Sequence, residues 1–92
     1  MSKQIICSIF DKATGAYMRP FTALSEGQAV RMFIDLVEDP NHDINRHPED
    51  YALFVVAEWF DRTGNLQSCE PKCLLRAHEA LAQKQATNGD SQ

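Results

Sequence analysis

Apolar residues first cluster in short β-rich runs, then recur at one-turn spacing, then repeat that order, and these changes of period mark out the elements. Residues 4–10 and 16–23 are rich in Ile, Phe, Tyr and Thr and flank Asp11-Lys12-Ala13-Thr14-Gly15. This pattern predicts a hairpin whose glycine takes the left-handed conformation that closes the turn. Pro20 cannot donate to a ladder, so the second strand is expected at a sheet edge or with a bulge. Ser25 then precedes Ala29, Val30, Phe33, Ile34 and Val37 at helical spacing, and Ser25 with Gln28 forms a capping-box pattern. Asp39-Pro40 ends that helix. Residues 40–48 hold no period and are expected as one long loop, finishing in a helical turn begun by Pro48-Glu49-Asp50.

The second half follows the same order. Tyr51 to Phe60 is nearly all apolar, broken by Glu58, and reads as a central strand buried on both faces. Asp61-Arg62-Thr63-Gly64 signals a tight turn, and Asn65 to Glu70 returns as a more polar strand. A three-residue loop, Arg62 to Gly64, puts Phe60 across from Leu66, whereas a two-residue loop exchanges the faces. Pro71 is expected to open a second helix with Leu74, Leu75, His78, Leu81 and Ala82 on one broad face, and residues 87–92 read as a disordered tail. Ile9-Phe10-Asp11-Lys12-Ala13-Thr14-Gly15 is echoed by Trp59-Phe60-Asp61-Arg62-Thr63-Gly64. The predicted fold is therefore a single α+β domain over 1–86, ββαββα, with a four-stranded antiparallel sheet and both helices on one face. The other face of such a sheet needs a cover: a ligand, a nucleic acid or a second copy of the chain.

Composition narrows the function. Nine Lys+Arg against thirteen Asp+Glu give a formal charge of -4, so any nucleic-acid contact must be local. Three cysteines, Cys7, Cys69 and Cys73, do not suggest a secreted disulfide scaffold, no apolar run approaches the roughly 18 residues that span a bilayer, and no signal peptide is legible. A reducing cytoplasm is the expected setting, with no membrane partner. Cys69-x3-Cys73-x4-His78 has poor spacing for zinc and nothing marks out a fourth ligand, so separate thiols are the simpler reading and no cofactor is expected. Cys–His catalysis lacks an orienting group and an oxyanion site. Asp11 and Asp61 are expected to cap turns, Glu49-Asp50 to sit at a helix start, and His42 and His47 to be exposed loop residues. No set of polar residues makes an active site, and the expectation is a protein that is not an enzyme. Alternation along 16–23 puts Tyr17, Arg19 and Phe21 on one side, an aromatic-basic-aromatic stripe able to stack bases, with Lys12 and Arg62 in the turns as further contacts. The same residues would serve equally as core or dimer contacts.

Ile9-Phe10-Asp11-Lys12-x-x-Gly15, Pro20-Phe21, Ala29-Val30-Arg31-x-Phe33, His47-Pro48-Glu49-Asp50-Tyr51-x-Leu53-Phe54 and Phe60-Asp61-x-x-Gly64 together resemble the small nonstructural protein of gokushovirus-type microviruses, phages with single-stranded circular DNA genomes. The resemblance covers about residues 5–75. It implies a nonvirion, non-enzymatic, DNA-binding protein of the host bacterial cytoplasm, concerned with genome replication or with single-strand synthesis and packaging. The acidic balance departs from that of a simple DNA binder. It favours a homo-oligomer, a dimer or larger, that gathers local basic patches on single-stranded DNA. The alternative is a protein-interaction module that contacts a viral or host replication, packaging or capsid protein.

Overall fold

The structure, a computed structural model, describes residues 3–90, with side chains through residue 83. Its elements in chain order are β1 (Lys3–Asp11), β2 (Ala16–Tyr17), β3 (Phe21–Ala23), α1 (Glu26–Glu38), α2 (Asp43–Arg46), a 3-10 turn (Pro48–Asp50), β4 (Tyr51–Phe60), β5 (Asn65–Arg76) and α3 (Ala77–Asp90). All strand pairings are antiparallel, and the order across the sheet is β2-β1-β4-β5, with β3 continuing β2 along the outer edge of β1. The fold is α+β in the expected ββαββα order. The tail expected over 87–92 falls on residues whose side chains lie outside those described, and the backbone is helical through Asp90.

The sheet has a helix side and a helix-free side. Cys7 and Ile9 of β1, Ala23 of β3 and Leu53 and Val55 of β4 form the core with Ala29, Phe33 and Val37 of α1, Ile44 of α2 and Ala77 and Ala80 of α3. Phe33, Ile44, Leu53 and Val37 are its largest fully buried side chains. Apolar stripes at helical spacing on α1 and at every second residue of β1 and β4 thus meet in one layer, which is what drives the two-layer packing. Lys72 of β5 reaches Glu26 at the start of α1 (3.0 Å), tying the edge strand to the helix layer.

Local chemistry explains the joints. Ser25 caps α1 by accepting from the Gln28 N–H (3.1 Å), and Gln28 Oε1 accepts in return from the Leu24 N–H (2.7 Å), one residue earlier than a capping box requires. The two tight turns close on glycines with φ of 72° at Gly15 and 76° at Gly64, a conformation costly for any residue with a Cβ. Asp11 Oδ1 accepts from the Ala13 N–H (3.0 Å) as expected of a turn aspartate. In the second turn Asp61 makes no such bond, and Thr63 Oγ1 accepts from the Asn65 N–H instead (3.3 Å).

Several expectations need correction. Residues 40–48 are not one loop: Asp43–Arg46 form α2, whose N-cap is the His42 Nδ1 accepting from the Ile44 N–H (3.2 Å), and whose Ile44 is fully buried. His42 is therefore a half-buried structural residue. Asn45 Nδ2 donates to the Val37 carbonyl (2.7 Å), holding this turn against the end of α1. The loop after β4 has four residues, so Phe60 faces Asn65 and Leu66 faces Trp59; the faces are exchanged relative to a three-residue loop, the register drawn for a two-residue loop, because both even lengths give the same pairing. Pro71 does not open a helix. Strand β5 runs on to Arg76, with Cys69, Glu70 and Pro71 bulged between Ser68, opposite Ala57, and Lys72, opposite Val55. An edge strand tolerates a proline there because its N–H would have no ladder partner. Helix α3 consequently starts at Ala77, and His78 is exposed rather than on its packed face.

Candidate nucleic-acid interface

Strand register decides which side chains reach the helix-free face. On β1 these are Gln4, Ile6, Ser8 and Phe10, alternating with the core residues Cys7 and Ile9. Across the ladder they meet Trp59, Ala57, Phe54 and Ala52 of β4, and β5 continues the face with Leu66, Ser68, Cys73 and Arg76. Val56 is unpaired with β1, because Ile6 faces Ala57 while Cys7 faces Val55, and this bulge keeps both β4 runs in phase with β1.

At one end of this face three aromatic rings form a cluster across three strands. Phe10 and Tyr17 are 4.9 Å apart between centroids, Tyr17 and Phe54 5.6 Å, and Phe10 and Phe54 6.4 Å, all tilted or edge-on. Beneath them Ser8, paired with Phe54, is buried and donates its hydroxyl to the Met18 carbonyl (2.6 Å). That bond satisfies a carbonyl in the segment Met18–Pro20, where Pro20 interrupts the outer strand. Tyr17 remains 44% exposed, so one ring of the cluster presents its surface to solvent. At the other end Trp59, half-buried, lies beside Leu66, which is 67% exposed.

A cleft of about 280 Å³ opens next to the aromatic cluster, lined by Phe10, Phe54, Lys12, Arg76, Glu49 and Asp50 among others. Its rim is set by the backbone: the Lys12 N–H donates to the Asp50 carbonyl (2.7 Å), and the Asp50 N–H donates to that of His47 (3.0 Å). The cation-bearing turn after β1 and the acidic turn before β4 are thereby fixed side by side. Lys12, Arg76, Glu49 and Asp50 take part in none of the ion pairs among the described residues, whereas Lys3, Arg46 and Lys72 are each paired with a carboxylate. Tyr51, which also borders the cleft, has its phenol pushed above the ordinary tyrosine range by burial and by the carboxylates of Asp11, Asp43 and Asp50, with Arg46 opposing them.

The five residues singled out from the sequence are not brought together. Tyr17 lies on the helix-free face, but Phe21 packs against the core on the other side. The reason is the break at Met18–Pro20: three steps along β1, from Phe10 to Cys7, are matched by four along the outer strand, from Tyr17 to Phe21, which changes the face. Arg19 is exposed within that break. Lys12 and Arg62 sit beyond opposite ends of β4, roughly 30 Å apart at about 3.3 Å per residue. Sequence reasoning missed Phe10, Phe54, Trp59 and Arg76. Phe54 and Trp59 were hidden in a run read as buried on both faces, Phe10 in a run read only as a hairpin strand, and Arg76 in a segment read as helix. Among the described residues no three His, Cys, Asp or Glu side chains converge as metal ligands, and no helix is long and apolar enough to cross a membrane.

A family model described as Phage ORF5 protein matches residues 4–80. The chain belongs to this phage protein family. No curated protein and no solved structure matches. The span matched to the Phage ORF5 family takes in the aromatic cluster, the cleft and Trp59, so the whole helix-free face lies within it.

Proposed function

We propose that this phage protein acts without catalysis, binding single-stranded DNA during genome replication or packaging in the cytoplasm of the infected bacterium, with the helix-free sheet face as its contact surface. The observation that carries this reading is the Phe10-Tyr17-Phe54 cluster on an open sheet face, flanked by Lys12 and Arg76, cations in no ion pair among the described residues. Open sheets that hold aromatic rings stack the bases of single strands, and nearby cations meet the phosphates. The resemblance of His47 to Phe54 and the two glycine turns to gokushovirus-type nonstructural proteins points the same way. With a net charge of -4, one chain offers few cations, so the reading includes a homo-oligomer that aligns the local patches of two or more copies.

Fluorescence anisotropy with a labelled oligo-dT tests it. Binding is expected at low salt, with affinity falling as salt rises. Tyr17→Ala with Phe54→Ala should weaken it roughly tenfold or more, since stacking contributes about 1–3 kcal/mol per base. Absence of binding at low salt, or full affinity in the double variant, contradicts the reading.

A second reading is a module that contacts a viral or host replication or capsid protein. It is favoured by the acidic balance and by Leu66 and Leu24, both 67% exposed. A protein retained on the bait after nuclease treatment, and lost with Leu66→Ser, would support it.

A further inference from the structure

The cleft beside the aromatic cluster has a chemistry that stacking alone does not use. A stacking surface needs apolar rings and cations; the two carboxylates on this rim work against a phosphate. Glu49 and Asp50 stand at the same mouth as Lys12 and Arg76, over a floor of Phe10 and Phe54, and none of these four charges is consumed by an ion pair among the described residues. The Lys12 N–H···O=C Asp50 bond of 2.7 Å fixes the two residues side by side at the backbone, and both line the cleft. The volume of about 280 Å³ lies at the lower limit of small-molecule sites, which suits one monomer-sized planar group rather than a folded peptide.

A carboxylate only accepts hydrogen bonds and an ammonium only donates them. The group that fits this rim therefore offers an acceptor beside adjacent donors on one planar edge. Among the DNA bases guanine alone presents O6 as acceptor followed by the N1–H and N2–H donors, so that one carboxylate can take both donors while Lys12 meets O6. Cytosine, adenine and thymine each give a carboxylate one ring-edge donor position. Arg76, across the cleft, is left for the phosphate.

We infer that the Lys12/Glu49/Asp50 cleft is a base-selective subsite that takes a guanine of the bound strand onto Phe10 and Phe54. This rests on the single-stranded DNA reading and gives it sequence preference. The subsite explains why acidic side chains border a surface that would otherwise favour uniform positive charge.

The test uses labelled oligo-dT of one length carrying a single central dG, dA, dC or dT, which avoids guanine quadruplexes. The full-length protein is expected to bind the dG oligomer about tenfold more tightly than the all-dT oligomer, in line with the discrimination of a two-bond base contact. In Glu49→Ala/Asp50→Ala the dG-to-dT affinity ratio should fall to near one, with circular dichroism and Trp59 emission reporting that the variant is folded. If the unsubstituted protein binds all four oligomers equally, the subsite is wrong while DNA binding stands. A dG preference that survives in the folded double variant also overturns it. If no oligomer binds at low salt, the DNA reading fails and the subsite with it.

Discussion

Cys7 is fully buried in the core, and that burial, together with the nearby carboxylate of Glu26, pushes its thiol up to about 11 from an ordinary 9.0. Between these values the unfolded chain gives up a proton that the folded chain keeps, so this contribution to stability is intact below pH 9 and lost as pH rises toward 11. Urea unfolding at pH 8 and pH 11 should therefore show a fall of roughly 2–3 kcal/mol more in the native sequence than in Cys7→Ala, and equal falls would contradict the assignment. Cys69 and Cys73 are exposed, and should react with a thiol reagent in the folded protein while Cys7 waits for unfolding. Single-residue roles that depend on short-range bonding were legible: the Ser25 cap, the Asp11 turn and the left-handed glycines follow from chemistry within four residues. His42 was not, because an imidazole capping a one-turn helix has no periodic signal around it.

At the level of elements, the strands and α1 were readable because their apolar spacing is sustained over several residues. Misplacement began where tertiary pairing overrides a local signal. Pro71 is a common helix opener, yet β4 offers ladder partners on both sides of it and a bulge absorbs it, so β5 extends six residues past Glu70 to Arg76. The break at Met18–Pro20 had a sequence cause in Pro20, but the one-residue shift in register that turns Phe21 to the core is set by pairing with β1. That shift dissolved the expected Tyr17-Arg19-Phe21 stripe. Helix α1, by contrast, carries its own boundary: Ser25→Ala should lower stability by about 1 kcal/mol in thermal or urea unfolding, and no change would mean the Gln28 N–H is satisfied elsewhere.

On the scale of the whole molecule, the physical fact with most consequence is the asymmetry of the sheet. Every buried core side chain of β1, β3 and β4 other than Ser8 turns toward α1, α2 and α3, while Phe10, Tyr17, Phe54, Trp59 and Leu66 lie on the side without helices. This two-layer arrangement was legible from the ββαββα order; the composition of the open face was not, because it depends on bulges and a loop length that only the assembled ladder fixes. Sedimentation at tens of micromolar is expected to find a dimer or larger species, whereas a monomer alone would remove the second copy from the account. Trp59 is the chain's single tryptophan and lies on that face, so it reports directly on whether the face is used. Titrating the protein with oligo-dT at low salt and following Trp59 emission and its quenching by acrylamide is the most direct measurement. Saturable quenching of the emission and a loss of acrylamide access are expected as strands cover the sheet. Emission and access that stay constant while the oligomer binds would place the strand elsewhere and contradict the helix-free face as its contact surface.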